Sequence, residues 1–252
     1  FSIGTGFDTG FKMAFGYRDY ILDLFEMITG GRVYPTGYIC PGGVRRDLPK
    51  DASEKILKVL DKIDEMVKLE EIENPVLQAR ARGIGVLKLE DAMRLGATGP
   101  LLRASGMKVD VRKEEPYEVY DRLDFEVPVR KEGDAYARYM IGIEEIKQSM
   151  KIIKQALREI PQGEYINPQF KKPKLNVKMP KGEVYVRNEG GRGEAAIYMV
   201  SDGNTKPYRV KIRGPSFLHM ISVLEFLLKG VQIADVPAIY WSMNICPADL
   251  DR

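Results

Sequence analysis

The sequence predicts an α+β, mainly helical fold, in which a bundle of long helices carries a small antiparallel sheet. Apolar side chains recur every three or four residues over 134–160, as on a helix that is packed along its length. A second amphipathic stretch with the same period follows Asp51. Three short alternating segments, separated by Gly- and Asn-rich turns, lie within 183–213 and are typical of a β-meander.

The composition is that of a folded chain and excludes several classes of function. Of the 252 residues, 44% are hydrophobic and 30% are charged, as in ordinary globular proteins. A net charge of +3 is too small to attract a phosphate backbone strongly, so no nucleic-acid partner is expected. Two cysteines, Cys40 and Cys246, are too few for a disulfide framework or for the four thiolates of an iron–sulfur cluster. The single histidine, His219, lies in an apolar run and is expected to be packed or half-exposed rather than catalytic.

Residues 1–160 are predicted to form the helical part. Residues 1–10 are expected to be a loop, and a helix is predicted over 13–28, where Gly30 and Gly31 follow it. The glycines and prolines of 38–49 argue against regular structure and predict a loop that is long enough to line a site.

The stretch 96–133 interrupts this part with dense polar and charged residues and no apolar period. We expect an irregular loop here, which is either functional or held by a partner, or is simply solvated surface. The helix predicted over 134–160 follows it and needs a partner helix along its length.

Residues 161–252 are predicted to hold a linker, the meander, a buried helix and a site-bearing tail. The Pro- and Lys-rich stretch 161–181 indicates a surface linker. The helix over 217–229 is apolar nearly all round and is therefore expected to be buried. The strands are predicted over 183–187, 195–200 and 208–213.

Three features carry candidate chemistry. Arg192 lies in a Gly-flanked turn, where the backbone can come close to a ligand. The segment Arg213-Gly-Pro215-Ser216 precedes a helix, where free N–H groups and the Ser hydroxyl favour an anion. Cys246 and Asp249, a soft and a hard ligand, stand three residues apart. Turn glycines, an N-cap serine and a small buried cysteine would give the same features without a function.

A series of longer motifs runs along nearly the whole chain. They are Tyr38-Ile-Cys-Pro-Gly-Gly-Val44, Arg82-Gly-Ile-Gly-Val86, Gly96-Ala-Thr-Gly-Pro-Leu-Leu-Arg-Ala-Ser-Gly106, Asp110-Val-Arg112, Ser201-Asp-Gly203, Lys206-Pro-Tyr-Arg-Val-Lys-Ile-Arg213, Pro215-Ser-Phe217 and Asp251-Arg252. Their order resembles the catalytic large subunit of respiratory complex I, which is the quinone-site D-type subunit. That family is related to the large subunit of nickel–iron hydrogenases. The resemblance covers only the C-terminal part of such a protein, so the chain is expected to be part of one larger domain.

The resemblance implies a hydrogenase-large-subunit-like fold that faces an iron–sulfur subunit. In the hydrogenase branch the motif Asp-Pro-Cys-x-x-Cys gives two thiolates to nickel and iron; here Cys246 keeps the first and Asp249 replaces the second. One thiolate is too few, so no complete nickel–iron site is expected. Glu189-Gly-Gly-Arg192-Gly193 matches a further hydrogenase-like motif, but Ile197 replaces a nearby His of that branch. The chain therefore looks intermediate between the two branches and is similar to the large subunits of archaeal membrane-bound complexes related to hydrogenase, including the sulfur-reducing type.

The resemblance also implies a function: a catalytic-type large subunit of a membrane-bound, ion-translocating respiratory oxidoreductase. It would lie peripherally on the cytoplasmic face of the cell membrane. Its expected partners are an iron–sulfur small subunit (B-like), a further C-like subunit and a membrane-arm subunit (H-like). The chain alone is expected to bind no cofactor, and electrons would come from the iron–sulfur cluster of the adjacent small subunit.

The expected acceptor is sulfane sulfur or polysulfide, with quinone as the second choice. Cys246 would be the soft contact to sulfur, Arg192 would stabilise developing negative charge, and Asp249 would carry a proton or ion. Arg213, Pro215 and Ser216 would form the anion-favouring wall. The alternative is a non-catalytic docking or coupling subunit that keeps only the hydrogenase-like shape.

Overall fold

Helices make up most of the regular structure in the computed structural model, which describes residues 1–34, 37–69, 74–170 and 178–250. The motif Asp251-Arg252 and part of the predicted linker, 171–177, lie outside the described residues. The long helices are α1 (Asp8–Thr29), α2 (Ala52–Val67) and α7 (Ala135–Glu159). Short helices stand between the second and the last of these: α3 (Pro75–Ala79), α4 (Leu89–Arg94), α5 (Gly99–Ala104) and α6 (Val111–Glu114).

The long helices pack on one another, as the apolar period predicts. Ile56, Leu60 and Ile63 of α2 share one core with Ile143 and Met150 of α7. The partly buried apolar side of α1 packs against the same core. The charged faces of α2 point outward and carry ion pairs between residues that are four positions apart. Such pairs stabilise an exposed helix modestly.

Two N-terminal segments that were expected to be loops contain regular structure. Residues 1–10 form a 3₁₀ turn (Ser2–Thr5) and the beginning of α1 at Asp8. Within 38–49, the two-residue strands β1 (Ile39–Cys40) and β2 (Gly43–Val44) form a hairpin. Gly43 has a φ of +146°, and a Cβ there would lie 2.3 Å from the carbonyl oxygen of Tyr165, so only glycine fits this contact.

The expectation of an irregular, partly solvated loop over 96–133 is wrong in part. Helices α5 and α6 lie inside it. Arg103 and Asp110 are each only 1% exposed, so this polar stretch is not simply surface. The carboxylate of Asp110 accepts the backbone N–H of Arg112 at 2.9 Å and caps α6. The polar residues satisfy one another inside the protein, and this is why they show no apolar period.

The predicted meander is confirmed. Strands β3 (Gly182–Gly190), β4 (Gly193–Ser201) and β5 (Arg209–Arg213) form an antiparallel sheet in that order. The first hairpin is tighter than expected, because only Gly191 and Arg192 separate its strands. The register places six apolar residues on one side of the sheet, and we call this the apolar sheet face. Its members are Val184, Val186, Ile197, Met199, Val210 and Ile212.

The helix expected over 217–229 is not buried all round. It consists of α8 (Pro215–Leu218), a π-helical turn (His219–Leu224) and α9 (Glu225–Leu227). One side is buried at Val223, but Phe217 and Ile221 are 43% and 52% exposed on the other. A groove of about 340 Å³ joins Phe217 to Val210 and Ile212 of the apolar sheet face. The exposed residues therefore continue the apolar surface of the sheet.

The chain closes with α10 (Val236–Ser242) and α11 (Pro247–Leu250). The two predicted parts, 1–160 and 161–252, share a core. Leu101 and Leu102 of α5 pack there with Val223, Leu227 and Ile239. None of the helices in the described part combines the length and hydropathy that a membrane crossing requires.

Candidate functional site

The first turn of α8 joins three of the candidate residues. The Oγ of Ser216 accepts the backbone N–H of Cys246 at 3.2 Å, and the backbone N–H of Ser216 donates to Asp249 Oδ2 at 2.8 Å. Ser216 and Pro215 are buried. At the place where the sequence predicts a bound anion, the chain therefore supplies its own carboxylate from the tail.

Gly214 allows the tail to come this close. A Cβ at this position would lie 1.9 Å from Asp249 Oδ1 and 2.9 Å from Oδ2, so no other residue fits without moving the carboxylate. Asp249 thus lies directly against the backbone that leads into α8. Its first role in the structure is to hold the tail at this helix.

Arg213 is engaged by its own sheet. Its Nη1 donates to Glu194 Oε1 at 2.7 Å, and Glu194 Oε2 accepts from Arg187 Nη1 at 3.0 Å. Glu194 therefore balances part of the positive charge on β3 and β5. The role of Arg213 as an anion-binding residue stays a prediction.

Arg192 is exposed at the tip of the first hairpin. Within the described ranges its guanidinium has no hydrogen bond or ion pair. The base of the hairpin is held, because a Cβ on Gly99 would lie 2.2 Å from the Cα of Gly193, and the N–H of Glu194 donates to Thr98 Oγ1 at 3.2 Å. The structure thus fixes the turn and leaves the Arg192 charge available, without a bond to Cys246 or Asp249.

His219 connects the π-helical turn to Thr98 at the start of α5. Its Nε2 accepts the backbone N–H of Thr98 at 3.2 Å, which requires the neutral ring to carry its proton on Nδ1. The side chain is 1% exposed. Burial first and then the charge of Arg213 lower the pKa of His219 to about 4, although Asp249 opposes them. The expectation of a packed or half-exposed, non-catalytic position is confirmed in its packed form, but the bond to Thr98 depends on tertiary structure that no local pattern shows.

A set of buried and half-buried ions lies behind the hairpin, and sequence reasoning missed it. We call it the buried charge cluster; it consists of Arg103, Asp110, Arg112, Glu145 and Glu189. Arg103 donates to Glu189 Oε1 at 2.8 Å and also to Glu145. Arg112 Nη2 donates to Asp110 Oδ2 at 2.6 Å. The available signal was the density of charge between 96 and 133, together with Glu189 in the hydrogenase-like motif.

A cleft of about 530 Å³ opens between α1, α7, α10 and the tip of the first hairpin. Glu145 of the buried charge cluster lines it, as do Gly191 beside Arg192 and Asn244 in the tail. Tyr139 and Trp241 contribute aromatic walls. The cleft therefore connects the cluster, the hairpin tip and the tail, which the sequence presents as separate motifs.

The donor set of the tail does not fit a nickel–iron centre. Cys246 is its only thiol, and the oxygens of Asp249 lie against the backbone of Gly214 and Ser216. In the part of the chain that the structure describes, no three His, Cys, Asp or Glu side chains are grouped as a metal site would require. That the chain holds no complete nickel–iron site stays a prediction from its chemistry.

Comparisons with known proteins place the fold. The family model described as "Respiratory-chain NADH dehydrogenase, 49 Kd subunit" matches residues 4–174 and 166–252. The D subunit of NADH-quinone oxidoreductase from Thermosipho melanesiensis is 44% identical over 250 residues, which are 98% of this chain and 68% of the relative. The H subunit of NAD(P)H-quinone oxidoreductase from Synechococcus sp. (strain JA-3-3Ab) is 40% identical over 276 residues, with 100% of this chain and 70% of the relative covered.

Among solved structures, a chain of the membrane-bound sulfane sulfur reductase, an archaeal respiratory membrane complex, superposes with a TM-score of 0.91 at 43% identity. The match covers 100% of this chain and 69% of that one. The resemblance and the fold class predicted from the sequence are thereby confirmed. This chain belongs to the 49-kDa subunit family of the respiratory-chain NADH dehydrogenase.

Proposed function

We propose that the chain is the catalytic-type large subunit of a membrane-bound, ion-translocating respiratory oxidoreductase. In this role it reduces a small acceptor with electrons from an iron–sulfur cluster in an adjacent subunit. Its relatives are named as subunits of quinone oxidoreductases, and its structural neighbour belongs to a sulfane sulfur reductase complex. The observation that carries the proposal is the pair of bonds through which Ser216 joins Cys246 and Asp249.

Sulfane sulfur or polysulfide is the first choice of acceptor, and quinone is the second. The Cys246 thiol is a soft group that suits sulfur. Arg192 has a charge without a partner in the described part of the chain, and so it can stabilise negative charge that develops on the acceptor. Asp249 lies at the same helix start as the thiol and is the proposed proton or ion carrier.

The exposed apolar residues support assembly with partner subunits. Val186 and Ile197 of the apolar sheet face are 58% and 45% exposed, and the groove beside Phe217 extends the patch. Extended apolar surface of this kind is typical of protein interfaces. The proposed partners are the iron–sulfur small subunit (B-like), a further C-like subunit and a membrane-arm subunit (H-like), with the chain peripheral on the cytoplasmic face.

Replacing Cys246 in the assembled complex tests the function. Cys246→Ala removes the soft contact and is expected to lower acceptor turnover by about 10²-fold, the size of effect that losing one stabilising group at a reaction centre has. Cys40→Ala is the matched control, since Cys40 lies in the β1–β2 hairpin and is expected to leave turnover unchanged. Equal turnover of the two variants would contradict the catalytic role and favour a docking role.

A further inference from the structure

The buried charge cluster has more acids than bases. It contains two arginines, Arg103 and Arg112, and three carboxyl groups, Asp110, Glu145 and Glu189. If every group were ionised, the cluster would carry one uncompensated negative charge. An unbalanced buried charge is unfavourable, so the protein gains stability when one carboxyl group holds a proton.

The hydrogen bonds indicate which carboxyl group this is. Asp110 accepts three bonds from Arg112, at 2.9, 2.9 and 2.6 Å. Glu189 accepts from Arg103 at 2.8 Å and from the N–H of Val111 at 3.2 Å. Glu145, in contrast, accepts only from Arg103 among the described residues. With the fewest donors, Glu145 loses least when it is protonated.

Glu145 is also the member of the cluster that lines the cleft. The charged groups that face it are Arg103 of α5, Arg112 of α6 and Glu189 of β3, and Arg138 lines the same cleft two turns earlier on α7. Burial raises the pKa of Glu145, Glu189 raises it as well, and the two cluster arginines oppose them. The cleft leads past Gly191 and Asn244, which lie close in the chain to the candidate residues Arg192 and Cys246.

We propose that Glu145 is the group that donates a proton across the cleft during acceptor reduction, a role that rests on the function proposed above. Two electrons from the partner's iron–sulfur cluster break one S–S bond of a sulfane acceptor and leave negative charge on two sulfur atoms. Glu145 gives its proton to one of them and becomes a carboxylate, which Arg103 stabilises. Water in the cleft supplies the second proton and then reprotonates Glu145. With a quinone acceptor, the two reduced oxygens take the same two protons.

The protonation state can be measured without any assumption about turnover. Infrared difference spectroscopy of the full chain, titrated with pH, is expected to show a protonated carboxyl band at neutral pH that Glu145→Gln removes. Glu144→Gln is the matched control, because Glu144 is the neighbouring residue on α7 and pairs with Arg130 at 2.5 Å. A band that persists in Glu145→Gln would overturn the proposal.

Turnover in the assembled complex tests the role itself. Glu145→Gln is expected to lower kcat by about 10²-fold with KM unchanged, and to remove the fall in turnover that the wild type shows as pH rises through the pKa of Glu145. Glu145→Asp is expected to restore the pH dependence in part, and Glu144→Gln to match the wild type. A wild-type pH profile in Glu145→Gln would refute the donor role even where Cys246→Ala is inactive. Full activity of Cys246→Ala would refute the proposed function instead.

Discussion

His219 illustrates how burial sets the chemistry of one side chain. The bond from Thr98 fixes the ring as the tautomer with its proton on Nδ1, and Nδ1 has no hydrogen-bond partner in the described part of the chain. Because burial lowers the pKa to about 4, the ring is neutral at physiological pH. The residue therefore contributes by accepting the bond from Thr98, and not by carrying charge.

This lowered pKa predicts a pH-dependent stability. The folded chain has a pKa of about 4 at His219 where the unfolded chain has the ordinary value of 6.5, so the unfolded state binds more protons between these values. The contribution is complete above pH 6.5, and about 3 kcal/mol is lost as the pH falls towards 4. Urea unfolding at several pH values gives the free energy of unfolding as a function of pH. This free energy should fall less steeply towards pH 4 in His219→Gln than in the wild type, and an equal fall would contradict the assignment.

At the scale of elements, the periodic segments and the short helices α3 and α4 could be predicted, whereas the β1–β2 hairpin and α5 could not. The spacing of apolar residues in α2 and α7 gives their positions directly, and alternation gives the meander. The β1–β2 hairpin and α5 are too short to establish a period, and contacts such as Gly43 against Tyr165 come from distant parts of the chain. Glu145 resembles an ordinary charged position on a long helix, and only the fold buries it against Arg103.

The junction between the first hairpin and α5 predicts a strong glycine requirement. Gly193 has a φ of +134°, and a Cβ there would lie 2.5 Å from Thr98 Oγ1. Gly193→Ala is expected to lower the free energy of unfolding by about 1–3 kcal/mol through strain and overlap.

Gly16→Ala provides the control for that variant, since no atom lies within 4 Å of a Cβ at this exposed position in α1. It should raise the free energy of unfolding by about 0.5–1 kcal/mol, the usual gain when Ala replaces Gly in a helix. Denaturant unfolding of both variants measures the difference, and equal effects would show that the junction is not tightly packed.

At the scale of the whole molecule, the sequence predicts the family and the fold, and part of the site. It identifies Cys246, Asp249 and Ser216, which the structure brings together. It also expects Arg192 to meet them, and no hydrogen bond in the described residues connects it to that group. The cleft that relates the two regions is formed by side chains from helices distant in sequence, which no motif spacing reveals.

The apolar sheet face predicts an assembly defect. Ile197→Lys places a charge on this face at a residue that is already 45% exposed, so the free energy of unfolding should change by less than about 0.5 kcal/mol. Recovery of the partner subunits with the purified chain should fall strongly. Tyr185→Lys is the control, because Tyr185 is 58% exposed on the opposite side of the same sheet. Equal recovery with both variants would show that partners dock elsewhere.

Thr98 has a mechanical consequence for the molecule. Its backbone N–H reaches the imidazole ring in the π-helical turn, and its hydroxyl oxygen accepts from Glu194 just beyond the arginine-bearing tip. A single threonine thus bonds to both the first hairpin and the π-helical turn. The position of the arginine-bearing tip is therefore linked, through Thr98, to the helix at which Ser216 binds Asp249 of the tail.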